Sequence, residues 1–211
     1  HWMVHSFPTR RSSDLMGMAL ARALALRGAN VRLVHGRISV AVPYYLEEAV
    51  AAYDVHSMLY EVMSRRQEAD WIIKCAAVSD FQPSGTQTTK IPKQDSLILE
   101  MSATPDILAQ LGAVKSPGQK LIGFAAQTED LIANAKAKLQ KKNLDMICAN
   151  LLTTAGADST EIVVIKASHT DNDSYERISG TKDDVAHVII NHILALSSDA
   201  ALANASPGLH G

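Results

Sequence analysis

Hydrophobic and polar residues follow two different periods along the chain, and these predict helices and strands in turn. Apolar side chains recur every three to four residues across 16–27, and Gly28 follows at once, as expected where a glycine ends a helix. The run 71–78, WIIKCAAV, is apolar almost without interruption, which is typical of a parallel strand buried on both faces. The alternation predicts an α/β fold with a mostly parallel sheet, helices on both faces and right-handed crossovers.

The same patterns predict the other elements between the two ends of the chain. Strands are expected at 31–34, 71–78, 98–101, 121–126, 144–149 and 161–166, and helices at 16–27, 57–67, 105–111, 128–142 and 181–196. Pro105 suits the first position of the third helix, with Thr104 as its N-cap. Asp183 and Asp184 suit the first turn of the last helix, because the helix dipole favours negative charge there.

The two ends of the chain depart from these periods. Residues 1–15, HWMVHSFPTRRSSDL, show neither period, and 6–15 resemble one reading frame of a widely used sequencing adapter. We interpret 1–15 as a non-native leader, which implies that the first strand of the sheet is missing. Residues 197–211 are small, polar and interrupted by Gly and Pro, so we expect a flexible tail behind a domain spanning 16–196.

Composition argues against several classes of protein. The chain has 211 residues and a formal net charge of −2, which provides no basic field for nucleic acid. Its apolar runs are shorter than the roughly 18 residues of a membrane span, and a signal-peptide pattern is not seen. Cys75 and Cys148 lie inside apolar runs, which favours reduced thiols in a cytoplasmic protein over disulfides or structural zinc.

Candidate ligand-binding side chains follow the predicted strands, because open α/β sheets bind ligands at the carboxyl ends of their strands. Asp80 follows 71–78 and could hold a ribose hydroxyl, a base edge or a metal-bound water; a surface Asp that caps a turn fits equally well. Lys90 and Lys93 lie in the polar segment 81–96, where two ammonium groups on a closing lid could neutralise phosphates. Two solvated lysines on an exposed loop are the alternative.

Two further features admit both a functional and a structural explanation. Lys138 and Lys142 are four residues apart and therefore share one face of their predicted helix. Like charges at that spacing cost roughly a few tenths of a kcal/mol, which hints at an anionic partner; a solvated helix face is the alternative. Phe124 in the run LIGFAA fits the core better than a stacking surface. The histidines show no metal-binding or catalytic spacing.

Several motifs occur in a fixed order: CAAVSDFQP, KIPKQ, ATPDIL, LIGFAAQTEDL, AKAKLQKKNLDMICAN and STEIVVI. Together they resemble phosphopantothenoylcysteine synthetase, the ligase half of a bacterial bifunctional flavoprotein of coenzyme A biosynthesis, over residues 16–196. The resemblance implies a Rossmann-like three-layer fold. It also implies a ligase that activates 4′-phosphopantothenate with CTP as an acyl-cytidylate and then joins it to L-cysteine, with Mg²⁺ bridging phosphate oxygens.

The resemblance also implies partners and site residues. Family members usually dimerise and are often fused to a flavin-dependent decarboxylase, so we expect a homodimer and no flavin on this chain. Lys90 matches the first lysine of a flexible flap and is the expected catalytic residue. The positions that match the family's CTP contacts are Lys74, Cys75, Ala76, Asp80, Lys90, Pro105, Asp106, Ile107, Leu108, Phe124, Lys138 and Lys142.

Departures from the family pattern imply a catalytic defect. Arg10 stands where the resemblance places an asparagine that converts the acyl-cytidylate to product, and Asp14 with its successor replaces Gly-Lys. Asn150 is followed by Leu-Leu rather than Asp-Val. We therefore expect that the chain cannot complete catalysis.

Two alternatives to the ligase stay open. Residues 16–34 resemble the first crossover helix and second strand of NAD(P)-dependent short-chain oxidoreductases, with Arg37 placed to read a 2′-phosphate, but the sequence contains no Tyr-x-x-x-Lys motif. The other alternative is an inactive nucleotide-binding or interaction module. Selective binding of CTP would support the ligase, binding of NADPH the oxidoreductase, and binding of neither the inactive module.

Overall fold

The computed structural model describes residues 2–6, 11–38, 40–85, 96, 98–127, 130–151, 159–168 and 174–204. Its strands are β1 (Trp2–Ser6), β2 (Val31–His35), β3 (Glu48–Ala51), β4 (Trp71–Lys74), β5 (Phe81–Pro83), β6 (Met101–Ala103), β7 (Lys120–Gln127), β8 (Met146–Leu151), β9 (Ser159–Lys166) and β10 (Glu176–Thr181). Its helices are α1 (Arg11–Leu26), α2 (Val55–Arg65), α3 (Ile107–Ala113), α4 (Leu131–Lys141) and α5 (Lys182–Asn204).

Eight strands form one mostly parallel sheet in the order β10-β9-β8-β7-β4-β1-β2-β3. The apolar runs of β4, β7 and β8 pair in parallel as predicted, while β9 and β10 are antiparallel additions at one edge. One hydrophobic cluster lies between the sheet and α1 with α5, and a second lies between the sheet and α2, α3 and α4. The predicted three-layer α/β architecture is therefore confirmed.

The prediction that the first strand is missing is wrong. Trp2–Ser6 forms β1 in the interior of the sheet, parallel to β2 on one side and to β4 on the other. The facing backbone groups of β2 and β4 need hydrogen-bond partners, and β1 supplies them. Five residues are too few to show a clear alternation, so this strand is specified by its neighbours in the sheet. The non-native origin of 1–15 stays a prediction.

The start of α3 also differs from the prediction. Asp106, rather than Thr104, is the N-cap, because its carboxylate accepts a hydrogen bond from the N–H of Ala109 at 3.0 Å. Pro105 lies before this cap instead of at the first helical position. The N–H and hydroxyl of Thr104 bond instead to carbonyl groups of the loop after β4. A carboxylate two positions beyond Thr104 displaces it as the cap.

Short strands account for most of the other differences. β3 and β10 were not predicted, and β5 pairs antiparallel with β6 in a separate two-stranded sheet. The strand expected at 98–101 lies two to three residues later, as β6. Within the described ranges, no helix is both long enough and apolar enough to cross a membrane.

Candidate active site

The carboxyl end of β4 lies in the middle of the sheet, where Lys74 pairs in register with Gly123 and the neighbouring strand β7 continues to Gln127. Open parallel sheets bind ligands at this edge. An added Cβ at Gly123 would lie 2.8 Å from a methyl carbon of Leu144 and 3.0 Å from one of Leu108. The glycine therefore lets α3 and the segment after α4 pack directly on the sheet beside Lys74.

Lys74 is partly buried at the end of β4, and its ammonium donates a hydrogen bond to the carbonyl oxygen of Ala76 at 2.7 Å. Burial, and then the positive charge of Lys142, lower the pKa of Lys74 to about 8, while the charges of Asp106 and Asp80 act in the opposite direction. An incoming anion would raise this pKa again, since it favours the charged form. The charge of Lys74 is therefore sensitive to what binds beside it.

Lys142 supplies the second cation from the residue that follows α4. Its ammonium lies 2.8 Å from Oδ2 and 3.1 Å from Oδ1 of Asp106. Burial would raise the pKa of Asp106, but the hydrogen bonds from Lys142 and from the N–H of Ala109, with the charges of Lys142 and Lys74, outweigh it and lower that pKa. Asp106 is thus a carboxylate at neutral pH, and in this structure Lys142 faces an anion.

We call Lys74, Asp106 and Lys142 the lysine cluster. It comes from three separate parts of the chain, the end of β4, the start of α3 and the residue after α4, so only the fold brings it together. Its two ammonium groups can form charge-assisted hydrogen bonds with phosphate oxygens, as Lys142 now does with a carboxylate. A phosphate group is the ligand that this arrangement matches.

Four other predicted positions lie close to the cluster along the chain. Cys75 and Ala76 are buried directly after Lys74, and Ile107 and Leu108 are buried in the first turn of α3. Burial raises the pKa of Cys75 to about 12, so its side chain is a neutral thiol rather than a nucleophile. Ala76, Ile107 and Leu108 pack on the face of the sheet that α3 covers, whereas the side chain of Cys75 packs on the opposite face, under α1 and α5.

Two predicted contacts are exposed or lie elsewhere. The side chain of Asp80 is exposed after β4, and its carbonyl oxygen accepts a hydrogen bond from the N–H of Thr104 at 3.0 Å. Phe124 packs with the core under α1 and α5, on the face of the sheet opposite Gly123, because successive residues of a strand point to opposite faces. The sheet therefore lies between Phe124 and the lysine cluster.

The remaining predicted residues divide between α4 and the undescribed parts of the chain. Lys138 is partly buried and lies one turn before Lys142. The backbone N–H of Lys142 donates a hydrogen bond to the backbone carbonyl oxygen of Lys138 at 3.0 Å. Lys90 and Lys93 of the expected flap lie outside the described residues, as does Arg10. In the described ranges, no group of three or more His, Cys, Asp and Glu side chains gathers to hold a metal ion.

Sequence reasoning missed some residues that shape the site. Lys74 was predicted through the family resemblance, although a lysine at the end of an apolar strand is an unusual feature in its own right. Gly123 interrupts a continuous apolar strand, which signals the close approach of another segment. Asn143 follows a helix directly, as residues in the left-handed conformation often do, and its φ is +49°.

Comparison with known sequences gives a match over nearly the whole chain. The family model described as DNA/pantothenate metabolism flavoprotein C-terminal domain matches residues 6–196. The coenzyme A biosynthesis bifunctional protein CoaBC of Bacillus subtilis (strain 168) is 40% identical over 195 residues, which are 90% of this chain and 47% of that protein. The chain thus spans about half the length of the curated relatives it matches.

Solved structures are similar over the same region. The crystal structure of the C-terminal domain of CoaBC has a TM-score of 0.76 and 30% identity, and the match covers 94% of this chain and 95% of that one. A Cab2 mutant in complex with phosphopantothenate-cysteine has a TM-score of 0.72 and 14% identity, covering 97% of this chain and 88% of that one. At 14% identity, the second likeness concerns the fold alone.

Proposed function

Because the chain belongs to the DNA/pantothenate metabolism flavoprotein C-terminal domain family, we propose that it is a CTP-dependent phosphopantothenate–cysteine ligase of coenzyme A biosynthesis. The lysine cluster carries this proposal, since it offers two ammonium groups at the edge of the sheet where a nucleotide would bind. The name coenzyme A biosynthesis bifunctional protein, borne by the 40% identical relative, supports the pathway. The family match favours this ligase over the short-chain oxidoreductase.

The proposed reaction has two steps. A carboxylate oxygen of 4′-phosphopantothenate attacks the α-phosphorus of CTP, and the bond to pyrophosphate breaks. The amine nitrogen of L-cysteine then attacks the acyl carbon of the acyl-cytidylate, CMP leaves with the electron pair of the acyl C–O bond, and the amine loses a proton to solvent. Positioning and charge neutralisation carry most of such a reaction, so the protein needs cations and dipoles more than a nucleophile.

The lysine cluster would bind the triphosphate by exchange of anions. A phosphate oxygen takes the place of the Asp106 carboxylate on Lys142, and the same negative charge keeps Lys74 protonated. Lys90 is proposed to close over the site from the flap. The remaining proposed contacts are Ala76, Asp80, Pro105, Ile107, Leu108 and Lys138. The side chains of Cys75 and Phe124 lie across the sheet, so these two positions would contact the nucleotide only through their backbone.

Mg²⁺ and the other partners belong to the same proposal. We propose that Mg²⁺, a hard cation that prefers oxygen ligands and keeps several waters, would neutralise part of the charge on the phosphates of CTP. We also propose that the chain forms a homodimer and acts beside a flavin-dependent decarboxylase, in keeping with the name bifunctional protein borne by its relatives.

Arg10 is proposed to stop the reaction after activation. The family's asparagine, which acts on the acyl-cytidylate, is replaced there by a cation. With CTP, Mg²⁺, 4′-phosphopantothenate and L-cysteine, we expect the 211-residue chain to release up to one equivalent of pyrophosphate per chain without steady amide formation. A coupled pyrophosphate assay and mass spectrometry of the product measure the two steps separately, and Arg10→Asn is expected to restore turnover.

Binding of CTP tests the site itself. Lys142→Met is expected to weaken CTP binding by about tenfold, because it removes one charge-assisted contact to phosphate. Lys141→Met is the matched control, since Lys141 is the exposed neighbour at the end of α4. Isothermal titration with CTP, ATP and NADPH gives the affinities. A wild-type chain that binds no CTP, or equal losses in both variants, would contradict the proposed site.

A further inference from the structure

Lys142 contacts α3 at two distant points. Its ammonium lies 2.8 Å from Asp106, the N-cap of α3, while its carbonyl group lies against Gly112 near the other end of that helix. Positions 106 and 112 are six apart, which corresponds to about 9 Å along a helix. The place of the ammonium therefore depends on how closely the backbone of Lys142 packs against α3.

The contact at Gly112 leaves no room for a side chain. An added Cβ would lie 2.0 Å from the carbonyl oxygen of Lys142, 2.9 Å from its carbonyl carbon and 3.4 Å from Cβ of Asn143. The nearest neighbour is backbone rather than the end of a flexible side chain, so relief requires movement of a whole segment. A methyl group at Gly112 would push Lys142 away from α3 by about 1 Å.

The segment after α4 is fixed by several hydrogen bonds. Asn143 adopts the left-handed conformation, and the N–H of Leu144 donates to the carbonyl oxygen of Leu139 at 3.0 Å, as in a Schellman helix ending. The side-chain amide of Asn143 donates a hydrogen bond to the carbonyl oxygen of Gly112 at 2.9 Å. The backbone carbonyl oxygen of Asn143 in turn accepts a hydrogen bond from the ammonium of Lys115 at 2.9 Å. The segment and α3 are therefore one packed unit.

We propose that Gly112 is a positioning residue of the nucleotide site that acts through Lys142. Its lack of a side chain lets the backbone of Lys142 lie close enough to α3 for the ammonium to reach Asp106 beside Lys74. This inference rests on the proposed function, because it takes a phosphate of CTP as the ligand that Lys142 binds.

A double-mutant cycle tests the coupling between the two residues. The variants are Gly112→Ala, Lys142→Met and the combination of both, with CTP affinity in Mg²⁺ buffer measured by isothermal titration calorimetry. We expect each single variant to weaken binding by about tenfold, and the combination to be no weaker than Lys142→Met alone, because Gly112 acts only through that ammonium. A merely structural role for Gly112 would give independent losses that multiply.

Gly118→Ala is the matched control. Gly118 has a φ of +83°, so alanine strains its backbone, but an added Cβ would meet nothing within 4 Å. We expect this variant to melt at a lower temperature and to bind CTP like the wild-type chain. The control separates a loss of stability from a loss of alignment at Lys142.

The role of Gly112 and the proposed function on which it rests would be contradicted by different results. Wild-type affinity in Gly112→Ala, or multiplied losses in the combined variant, would overturn the role of Gly112 and leave the proposed function intact. A wild-type chain that binds no CTP would refute the proposed function instead. If Gly112→Ala does not fold, Asn143→Ala replaces it in the same cycle, since it removes the amide bond to Gly112; equal affinity in that variant and the wild type overturns the inference.

Discussion

Lys74 carries a charge that the folded chain disfavours. Burial lowers its pKa to about 8 from the ordinary 10.5, so between these values the unfolded chain binds more protons and stability rises with pH. At pH 7 we expect Lys74→Met to be the more stable protein by about 2 kcal/mol, after allowance for solvent screening. Urea unfolding from pH 7 to 10.5 should show this advantage shrinking as wild-type Lys74 loses its proton.

Lys141→Met is the control for that titration. Lys141 is exposed, so its variant should give a free energy of unfolding that runs parallel to the wild-type curve. If the difference between wild type and Lys74→Met is also constant with pH, the pKa of Lys74 is not lowered in the folded chain.

The two thiols should be unreactive in the native state. Burial raises the pKa of Cys75 to about 12 and also raises that of Cys148, and both side chains lie in the core. We therefore expect labelling of both by iodoacetamide at pH 8 to be slower than in the urea-unfolded chain by about a hundredfold or more, because reaction requires a thiolate and local opening. Mass spectrometry measures the rates; native labelling as fast as in urea would contradict the burial of these residues.

Residue types were easier to predict than their partners. The positive charge of Lys142 and its helical spacing from Lys138 are visible in the sequence, but its ion pair with Asp106 depends on where α3 begins and where α4 ends. The sequence pattern predicted Thr104 as the cap of α3 and extended α4 through Lys142. In the structure the cap is Asp106 and α4 ends at Lys141, so the pattern located neither the start of α3 nor the end of α4. The core position of Phe124, by contrast, follows from its place in the continuous apolar run LIGFAA.

Interior strands tolerate proline least, and this allows a test of β1. Proline at Val4 removes an N–H from a strand that is paired on both sides, with Leu33 and Ile73 opposite. We expect Val4→Pro to destabilise the chain by about 3 kcal/mol or more and to lower its melting temperature by about 10 °C. Differential scanning calorimetry measures the change.

Val4→Ala is the control for the backbone effect at β1. It keeps the N–H, so it should melt well above Val4→Pro. Equal melting temperatures for the wild type and Val4→Pro would mean that Trp2–Ser6 contributes nothing to the sheet. That outcome would support the interpretation, made from the sequence, that this segment belongs to a non-native leader.

Strand length decided which elements the sequence could predict. The runs of β4, β7 and β8 are continuously apolar because helices cover both faces of the sheet, and this leaves a clear signal. β3, β5 and β10 are short and contain polar or small residues, so their pairing is set by neighbours that are distant in sequence. Periodicity within a single segment does not record such partners.

At the scale of the whole molecule, the small β5–β6 sheet exposes an apolar surface. Phe81 is 59% exposed and Met101 49%, and the adjoining Ile98 and Leu99 are 91% and 59% exposed. Two strands alone are marginally stable in water, and an uncovered apolar patch favours association. We therefore expect a second copy of the chain to cover this surface in the proposed homodimer.

The dimer prediction can be tested by charge substitution on that surface. Sedimentation equilibrium should give the wild-type chain a mass near twice 22.7 kDa. Met101→Glu should shift it to the mass of one chain, because burying a carboxylate in an apolar interface is costly. Leu26→Glu, on a more exposed apolar residue at the end of α1, should leave the dimer intact. A single-chain mass for the wild type would contradict the proposed dimer. A dimer that survives Met101→Glu would place the interface on another surface.

If dimerisation also supports the site, Met101→Glu should weaken CTP binding at concentrations where the wild type is dimeric, while Leu26→Glu should not.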